Sequence, residues 1–110
     1  MIDWDRVNQL RDEIGTEDFR EVVDMFLEEV DEIVERLCTS PDPSHYEEDL
    51  HFLKGSALNL GFRKFSALCA EGEQKSAAGD AGSVEIDPVI ACYRDSKAQF
   101  LPQLETGQAA

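Results

Sequence analysis

The sequence has few basic residues, and this shortage argues against a large class of partners. Its 110 residues include 10 lysines and arginines against 24 aspartates and glutamates, so the formal net charge at pH 7 is −14. Proteins that bind nucleic acids or anionic membrane surfaces need basic side chains to neutralise phosphate groups. The composition therefore argues against nucleic acid and against an anionic membrane as partners.

Long apolar runs and paired cysteines are also missing. No apolar stretch approaches the ~20 residues that cross a bilayer, and the first residues lack the basic and apolar regions of a signal peptide. The three cysteines, Cys38, Cys69 and Cys92, are an odd number without a close pair, which fits neither a disulfide framework nor a zinc site. We therefore expect a soluble cytoplasmic protein with reduced thiols.

No glycine-rich nucleotide-binding loop occurs in the chain, and its length leaves no room for a separate ATP-binding domain. Hydrophobic residues make up 42% of the sequence, which is enough for one compact core. We expect a single domain over residues 1–110 with an ordered core over about 3–103. Neither ATP hydrolysis nor autophosphorylation from ATP is expected.

Apolar residues recur at helical spacing along nearly the whole chain, and no segment alternates as a strand would. The pattern predicts an all-α fold with five helices. Short loops between the last four helices predict an up-down-up-down four-helix bundle, and the short first helix is expected to cover one end.

Capping residues predict where these helices begin and end. The first helix is expected over 4–14, the fourth over about 63–78, and the fifth from near 88. The predicted start signals are Thr16 as N-cap of the second helix, Ser44 with Glu47 as a capping box on the third, and Asp87 as cap of the fifth. The predicted stop signals are Gly15, Gly61 and Pro102, with a frayed tail from Glu105.

The third helix carries the most informative residues of the chain. Its buried stripe is predicted to contain Leu50 and Leu53, and His51 is turned about 100° from Leu50, so it should be exposed. Lys54 and Gly55 follow His51 by three and four residues and share its face. An exposed imidazole can be a nucleophile, and a lysine one turn away can offset the charge of a phosphoryl group.

Glycine inside a helix costs about 1 kcal/mol relative to alanine, so Gly55 suggests that something needs to approach His51 closely. The surrounding segment, residues 51–75, carries four lysines and arginines and two glutamates, whereas the rest of the chain is strongly acidic. From these residues alone, chance clustering of cations and a surface histidine without a role both remain open.

The run from His51 to Gly61 resembles the signature of histidine-containing phosphotransfer (HPt) domains, roughly His-x-Leu-Lys-Gly-Ser, then Ser or Ala, then x-x-Leu-Gly. The resemblance extends over about residues 3–103. It implies that His51 accepts a phosphoryl group, that Lys54 stabilises this group, and that Gly55 gives a receiver domain access.

The same resemblance implies a docking surface that includes Phe52 and Leu58. We assign Ser56 to this surface as well, although a helical serine can also bond back to a carbonyl one turn earlier. Many members of the family place a glutamine on the following helix near the phosphohistidine, and counting from His51 puts Glu73 there.

Because a carboxylate would repel a phosphoryl group, two interpretations of this departure remain open. Either Gln74 or Lys75 supports the site instead, or Glu73 points away and the site relies on Lys54 alone.

The function that the resemblance implies is that of a phosphorelay intermediate in two-component signal transduction. The expected partners are receiver domains of response regulators, with the receiver of a hybrid histidine kinase as one candidate. The chain itself is expected to be a monomer without a metal or cofactor, and magnesium is expected on the receiver.

Three alternatives are kept. The first is a phosphate sink that drains one receiver. The second is a helical adaptor that docks through Phe52, Leu58 and Phe62. The third, a metal enzyme using His45 and His51, is disfavoured because a spacing of six residues turns these side chains about 120° apart.

Overall fold

The computed structural model describes residues 2–105 and shows five α-helices. Their bounds are α1 Trp4–Ile14, α2 Thr16–Thr39, α3 Tyr46–Leu60, α4 Arg63–Ala77 and α5 Ile86–Glu105. Two short 3-10 turns, Pro43–His45 and Ala81–Ser83, precede α3 and α5. Within the described residues, strand-type pairing is limited to a single isolated antiparallel bridge between Ile2 and Phe62. The predicted all-α class is confirmed.

The last four helices pack in a ring, in which α3 contacts α2 and α4 while α5 contacts α4 and α2. Short connections between consecutive helices produce this up-down-up-down arrangement. The first helix packs against α2 and α3 and so covers part of the bundle, as predicted. No helix in residues 2–105 combines the length and the apolar character needed to cross a membrane.

Several predicted helix boundaries are wrong. The residue that precedes α2 as its N-cap is Gly15, so Thr16 is the first helical residue and not the cap. The capping box of Ser44 and Glu47 does not form. Instead, Ser44 donates its backbone N–H (3.1 Å) and its hydroxyl (2.7 Å) to Asp42 Oδ1, and α3 starts only after this turn. The proline at position 43 favours this turn because its fixed φ suits a first helical position.

The fifth helix is longer than predicted at both ends. It begins at Ile86, so Asp87 lies in its first turn and is not the cap, and Pro102 lies inside the helix. Pro88 is the third residue of the helix, and proline is tolerated in a first turn, where backbone N–H groups have no helical partner. Fraying was expected from Glu105 onward: Glu105 is the last residue of α5, and residues 106–110 lie outside the described residues.

The core is built around an aromatic cluster at the junction of α4 and α5. Phe62 is fully buried and packs edge-to-face on Phe100 with ring centroids 5.2 Å apart, and Phe65 lies 5.2 Å from Tyr93. Trp4 on α1 stacks on Phe100 at 5.7 Å. The docking role that the adaptor alternative gave to Phe62 is therefore wrong, because this side chain is not accessible.

The end of α3 is fixed by a close backbone contact with the start of α1. Asp3 donates its backbone N–H to the carbonyl oxygen of Gly61 at 2.7 Å. Gly61 has φ of 76°, and a Cβ built there would lie 2.6 Å from the carbonyl oxygen of Asp3. Only glycine satisfies both conditions, so Gly61 ends α3 as predicted.

The start of α3 is tied to α2 by an ion pair between the exposed Arg36 and the buried carboxylate of Asp49. The helix that carries His51 is thus held at both ends.

Of the three free thiols, Cys38 is exposed while Cys69 and Cys92 are buried. Burial raises the pKa of the Cys69 thiol to about 12, so this thiol stays protonated near neutral pH.

Candidate functional site

The imidazole of His51 projects from the outer face of α3 into solvent, with 70% of its side chain exposed. Its neighbours on the inner face, Leu50 and Leu53, are fully buried. The apolar stripe of α3 therefore fixes the orientation of the helix, and the helical period places His51 outside that stripe. The predicted exposure of His51 is confirmed.

Glu73 on α4 reaches across to His51. Its two carboxylate oxygens bind two different groups: Oε2 lies 2.6 Å from Nδ1 of His51, and Oε1 lies 2.6 Å from Nζ of Lys54. The side chain of Glu73 is only 19% exposed, whereas His51 projects beyond it. The interpretation in which Glu73 points away from the site is wrong, because the carboxylate is anchored by two hydrogen bonds.

The contact with Lys54 also fixes the charge of Glu73. The hydrogen bond from Lys54 lowers the pKa of the Glu73 carboxyl; desolvation opposes this shift, and the hydrogen bond from His51 adds to it. Glu73 is therefore an anion near neutral pH, and an ionised carboxylate can only accept hydrogen bonds. The ring nitrogen that faces it must carry a hydrogen.

This constraint determines which nitrogen of His51 can react. With the hydrogen on Nδ1, the neutral ring keeps its lone pair on Nε2. A carboxylate that orients an imidazole and selects its tautomer in this way is a recurring arrangement in catalytic and metal-binding histidines. The site thus presents Nε2 as the nucleophilic atom, on the side of the ring away from Glu73.

Lys54 lies on the face predicted for it, but its ammonium group is bound by Glu73. Gln74 and Lys75, the two residues predicted as alternative support for the site, do not take the place of Glu73 at His51. Among the described residues no hydrogen bond joins Gln74 or Lys75 to His51, and Lys75 lies 3.9 Å from Glu71 on its own helix. Counting from His51 correctly predicts Glu73 near the site, but its charge was interpreted only as a source of repulsion. Lys54, one helical turn from His51, was the feature of the sequence that indicated a partner for this carboxylate.

Gly55 leaves open space beside His51. A Cβ built on Gly55 would meet no heavy atom within 4 Å outside its own helix backbone and its chain neighbours. The missing side chain therefore does not accommodate a neighbouring element of the fold. The open space lies toward solvent, one helical turn from the imidazole.

Exposed apolar side chains flank this space. Leu58 is 58% exposed and Phe52 is 39% exposed, and with Met25 they are the large exposed hydrophobic residues of the described structure. Ser56 does not belong with them. It is only 5% exposed, so the docking role predicted for Ser56 does not fit its position.

His45 lies in a different environment. It ends the 3-10 turn before α3, and its Nε2 is 3.6 Å from the carboxylate of Asp42. Within residues 2–105 no three histidine, cysteine or acidic side chains come together as metal ligands would. The structure therefore gives no support to the metal-enzyme alternative.

A comparison with protein families finds one described as "Hpt domain", whose model matches residues 21–106 of this chain. The match covers α3 with His51 and α4 with Glu73, and it leaves α1 outside. No curated protein and no solved structure gave a match.

Proposed function

The chain belongs to the Hpt domain family, and we propose that His51 takes a phosphoryl group from a receiver-domain aspartate and passes it to the aspartate of a second receiver. The family supports a histidine phosphotransfer role in a phosphorelay. The receivers as partners and His51 as carrier are our proposal for this chain.

One observation carries the proposal: His51 is an exposed histidine whose Nδ1 is held by a carboxylate. In the first transfer, the Nε2 lone pair attacks the phosphorus of the aspartyl phosphate, and the aspartate carboxylate leaves with the electrons of the P–O bond. In the second transfer, another aspartate attacks the same phosphorus, and the electron pair of the N–P bond returns to Nε2.

The chain supplies little of the electrostatic catalysis that phosphoryl transfer needs. Lys54 is the cation beside His51, and its ammonium group is already bound to Glu73. Charge on a transferring phosphoryl group is usually balanced by metal ions and several donors. We therefore assign this task, including any magnesium ion, to the receiver domain.

Access for so large a partner comes from Gly55 and the apolar flank. The gap over Gly55 allows a receiver backbone to approach the ring, while Leu58 and Phe52 offer exposed apolar area for docking. Exposed apolar patches on soluble proteins commonly mark protein interaction sites. A helical adaptor without phosphotransfer activity would use the same apolar patch for docking, but it would not require His51.

The test is transfer of label from a receiver domain that carries a radiolabelled aspartyl phosphate. His51→Ala and His45→Ala form a matched pair, since both remove an exposed histidine near the start of α3. We expect wild type and His45→Ala to take up label that is labile in acid and stable in alkali, and His51→Ala to take up none.

A second receiver added afterwards distinguishes a relay from a sink. Movement of the label to the second aspartate supports the relay, whereas loss of label as free phosphate supports a sink for one receiver. Equal labelling of His51→Ala and wild type, or no labelling of the wild-type chain by any receiver, would refute His51 as the carrier.

A further inference from the structure

Glu73 holds a proton on the ring of His51, and this proton matters after phosphorylation as well as before it. Phosphorylation at Nε2 does not by itself remove the hydrogen from Nδ1, so the product is a phosphorylated imidazolium. A histidine ring ordinarily titrates near pH 6.5, so an unassisted imidazolium would lose this hydrogen as the pH rises above neutral.

The fate of this proton decides how well the ring can leave. If Nδ1 keeps its hydrogen, cleavage of the N–P bond releases neutral imidazole. If Nδ1 has lost it, cleavage must release an imidazolate anion, which is a far more basic and therefore poorer leaving group. Onward transfer thus depends on the hydrogen at Nδ1.

We propose that Glu73 is a positioning residue that keeps the Nδ1 proton on phosphorylated His51, so that the phosphoryl group stays transferable at alkaline pH. The inference rests on the proposed function, in which Nε2 of His51 is the carrier. In both transfers one bond to phosphorus forms and one breaks, while the proton stays between Nδ1 and Oε2.

Lys54 has a defined part in this arrangement. A carboxylate beside an imidazolium could take the proton for itself, but the hydrogen bond from Lys54 to Oε1 makes Glu73 a weaker base. The proton is therefore held at Nδ1 and is not passed to Oε2. The 2.6 Å contacts on both oxygens make Lys54, Glu73 and His51 one connected unit.

Other groups face the ring as well. The concave surface around His51 is lined by Glu47 and Glu48 from α3, by Ser44 from the turn before α3 and by Glu73 from α4. Glu47 and Glu48 lie four and three residues before His51 on its own helix, and in the described structure no hydrogen bond joins them to the ring. Their charges act on the ring through solvent, which weakens their effect.

This difference provides a matched control. Glu73→Gln and Glu47→Gln each remove one negative charge near His51, but only the first removes a carboxylate bonded to Nδ1. Glutamine is nearly the same size as glutamate, so Glu73→Gln keeps the volume of the side chain while it loses the charge. Circular dichroism of both variants checks that the bundle is intact.

The experiment loads the full chain with phosphoramidate, which phosphorylates histidine without a receiver, and then measures transfer to one receiver as a function of pH. An opposite charge at hydrogen-bond distance is expected to move the alkaline midpoint of the profile by about one pH unit. Above that midpoint, Glu73→Gln should transfer about tenfold more slowly than wild type. Glu47→Gln should follow the wild-type profile.

A second measurement needs no receiver. With ¹⁵N-labelled histidine, the Nδ1 resonance of phosphorylated wild type should keep the shift of a protonated nitrogen at a pH where Glu73→Gln has lost it. Coinciding resonances and profiles in the two proteins would overturn the inference, as would an equal shift in Glu47→Gln. If no receiver phosphorylates the wild-type chain, the proposed function fails, and the nitrogen resonance still decides the role of Glu73.

Discussion

Replacing Gly55 should make the protein more stable and less active at the same time. Gly55 is the tenth of the fifteen residues of α3, and a Cβ at this position would meet nothing within 4 Å. Alanine is favoured over glycine in a helix interior by about 1 kcal/mol, and no steric term opposes this gain. Gly55→Ala should therefore raise the free energy of unfolding by about 1 kcal/mol.

For a chain of this length such a gain corresponds to a rise in Tm of about 4 °C. Thermal and urea unfolding followed by circular dichroism would measure it. Gly72→Ala is the matched control, because Gly72 also lies inside a helix but its Cβ would come within 2.7 Å of Cδ1 of the fully buried Leu50. Overpacking of this kind costs about 1–3 kcal/mol, which cancels or exceeds the helix gain of about 1 kcal/mol, so Gly72→Ala should be no more stable than wild type.

The activity of a larger substitution, Gly55→Leu, completes the argument. Its side chain would occupy the space one turn from His51, and a displacement of about 1 Å between reacting groups can cost about 100-fold in rate. We expect loss of this order in transfer from a receiver, with phosphorylation by the small donor phosphoramidate retained. A Gly55→Ala protein less stable than wild type, or a Gly55→Leu protein with the wild-type receiver rate, would refute the reasoning.

Three further predictions concern the core, the docking flank and the charge of Glu73. Phe62→Ala should lower the free energy of unfolding by about 3–5 kcal/mol in urea titrations, because Phe62 is fully buried among aromatic rings. Leu58→Ala should leave stability within about 0.5 kcal/mol of wild type while kcat/KM for a receiver falls about tenfold, and an unchanged kcat/KM would exclude Leu58 from the interface. The pKa of Glu73 is lower in the folded chain than its ordinary value of 4.5, so its contribution to stability is present above that pH and is lost as the pH falls through the lower folded value. The stability difference between wild type and Glu73→Gln should shrink over this acid range, and a difference independent of pH would contradict the assignment.

The sequence alone predicts that the chain is helical and that His51 is exposed, because both follow from the helical spacing of its apolar residues. Leu50 and Leu53 are apolar at helical spacing, and burying them determines where the intervening residues point. The same rule, applied more strictly, would have placed Ser56 three residues after Leu53 on the buried side. The burial of Phe62 could not be predicted by this rule, because Gly61, in the left-handed conformation, ends α3 before Phe62.

Helix boundaries were less predictable because several residues compete to be the cap. Asp42 and Ser44 both have side chains that can cap a helix start, but Asp42 caps the 3-10 turn and α3 follows His45 without a side-chain cap. The contact between Glu73 and His51 was harder to predict than the helix boundaries. It depends on how α3 and α4 cross, and that geometry follows from the packing of two whole helices and not from the spacing within either one.

Counting charges along the sequence does not describe the electrostatics around His51. Residues 51–75 carry a net positive charge, yet Lys54 binds Glu73, Arg63 lies 3.6 Å from Asp3, and Lys75 pairs with Glu71. The surplus of cations is largely neutralised by carboxylates, one of which comes from the start of the chain. What the fold offers a phosphoryl group is therefore one nucleophilic nitrogen with a fixed tautomer and little positive charge around it. Under the proposed function, rapid transfer then depends on the charge that the receiver supplies around the phosphoryl group, so the receiver controls how fast transfer occurs.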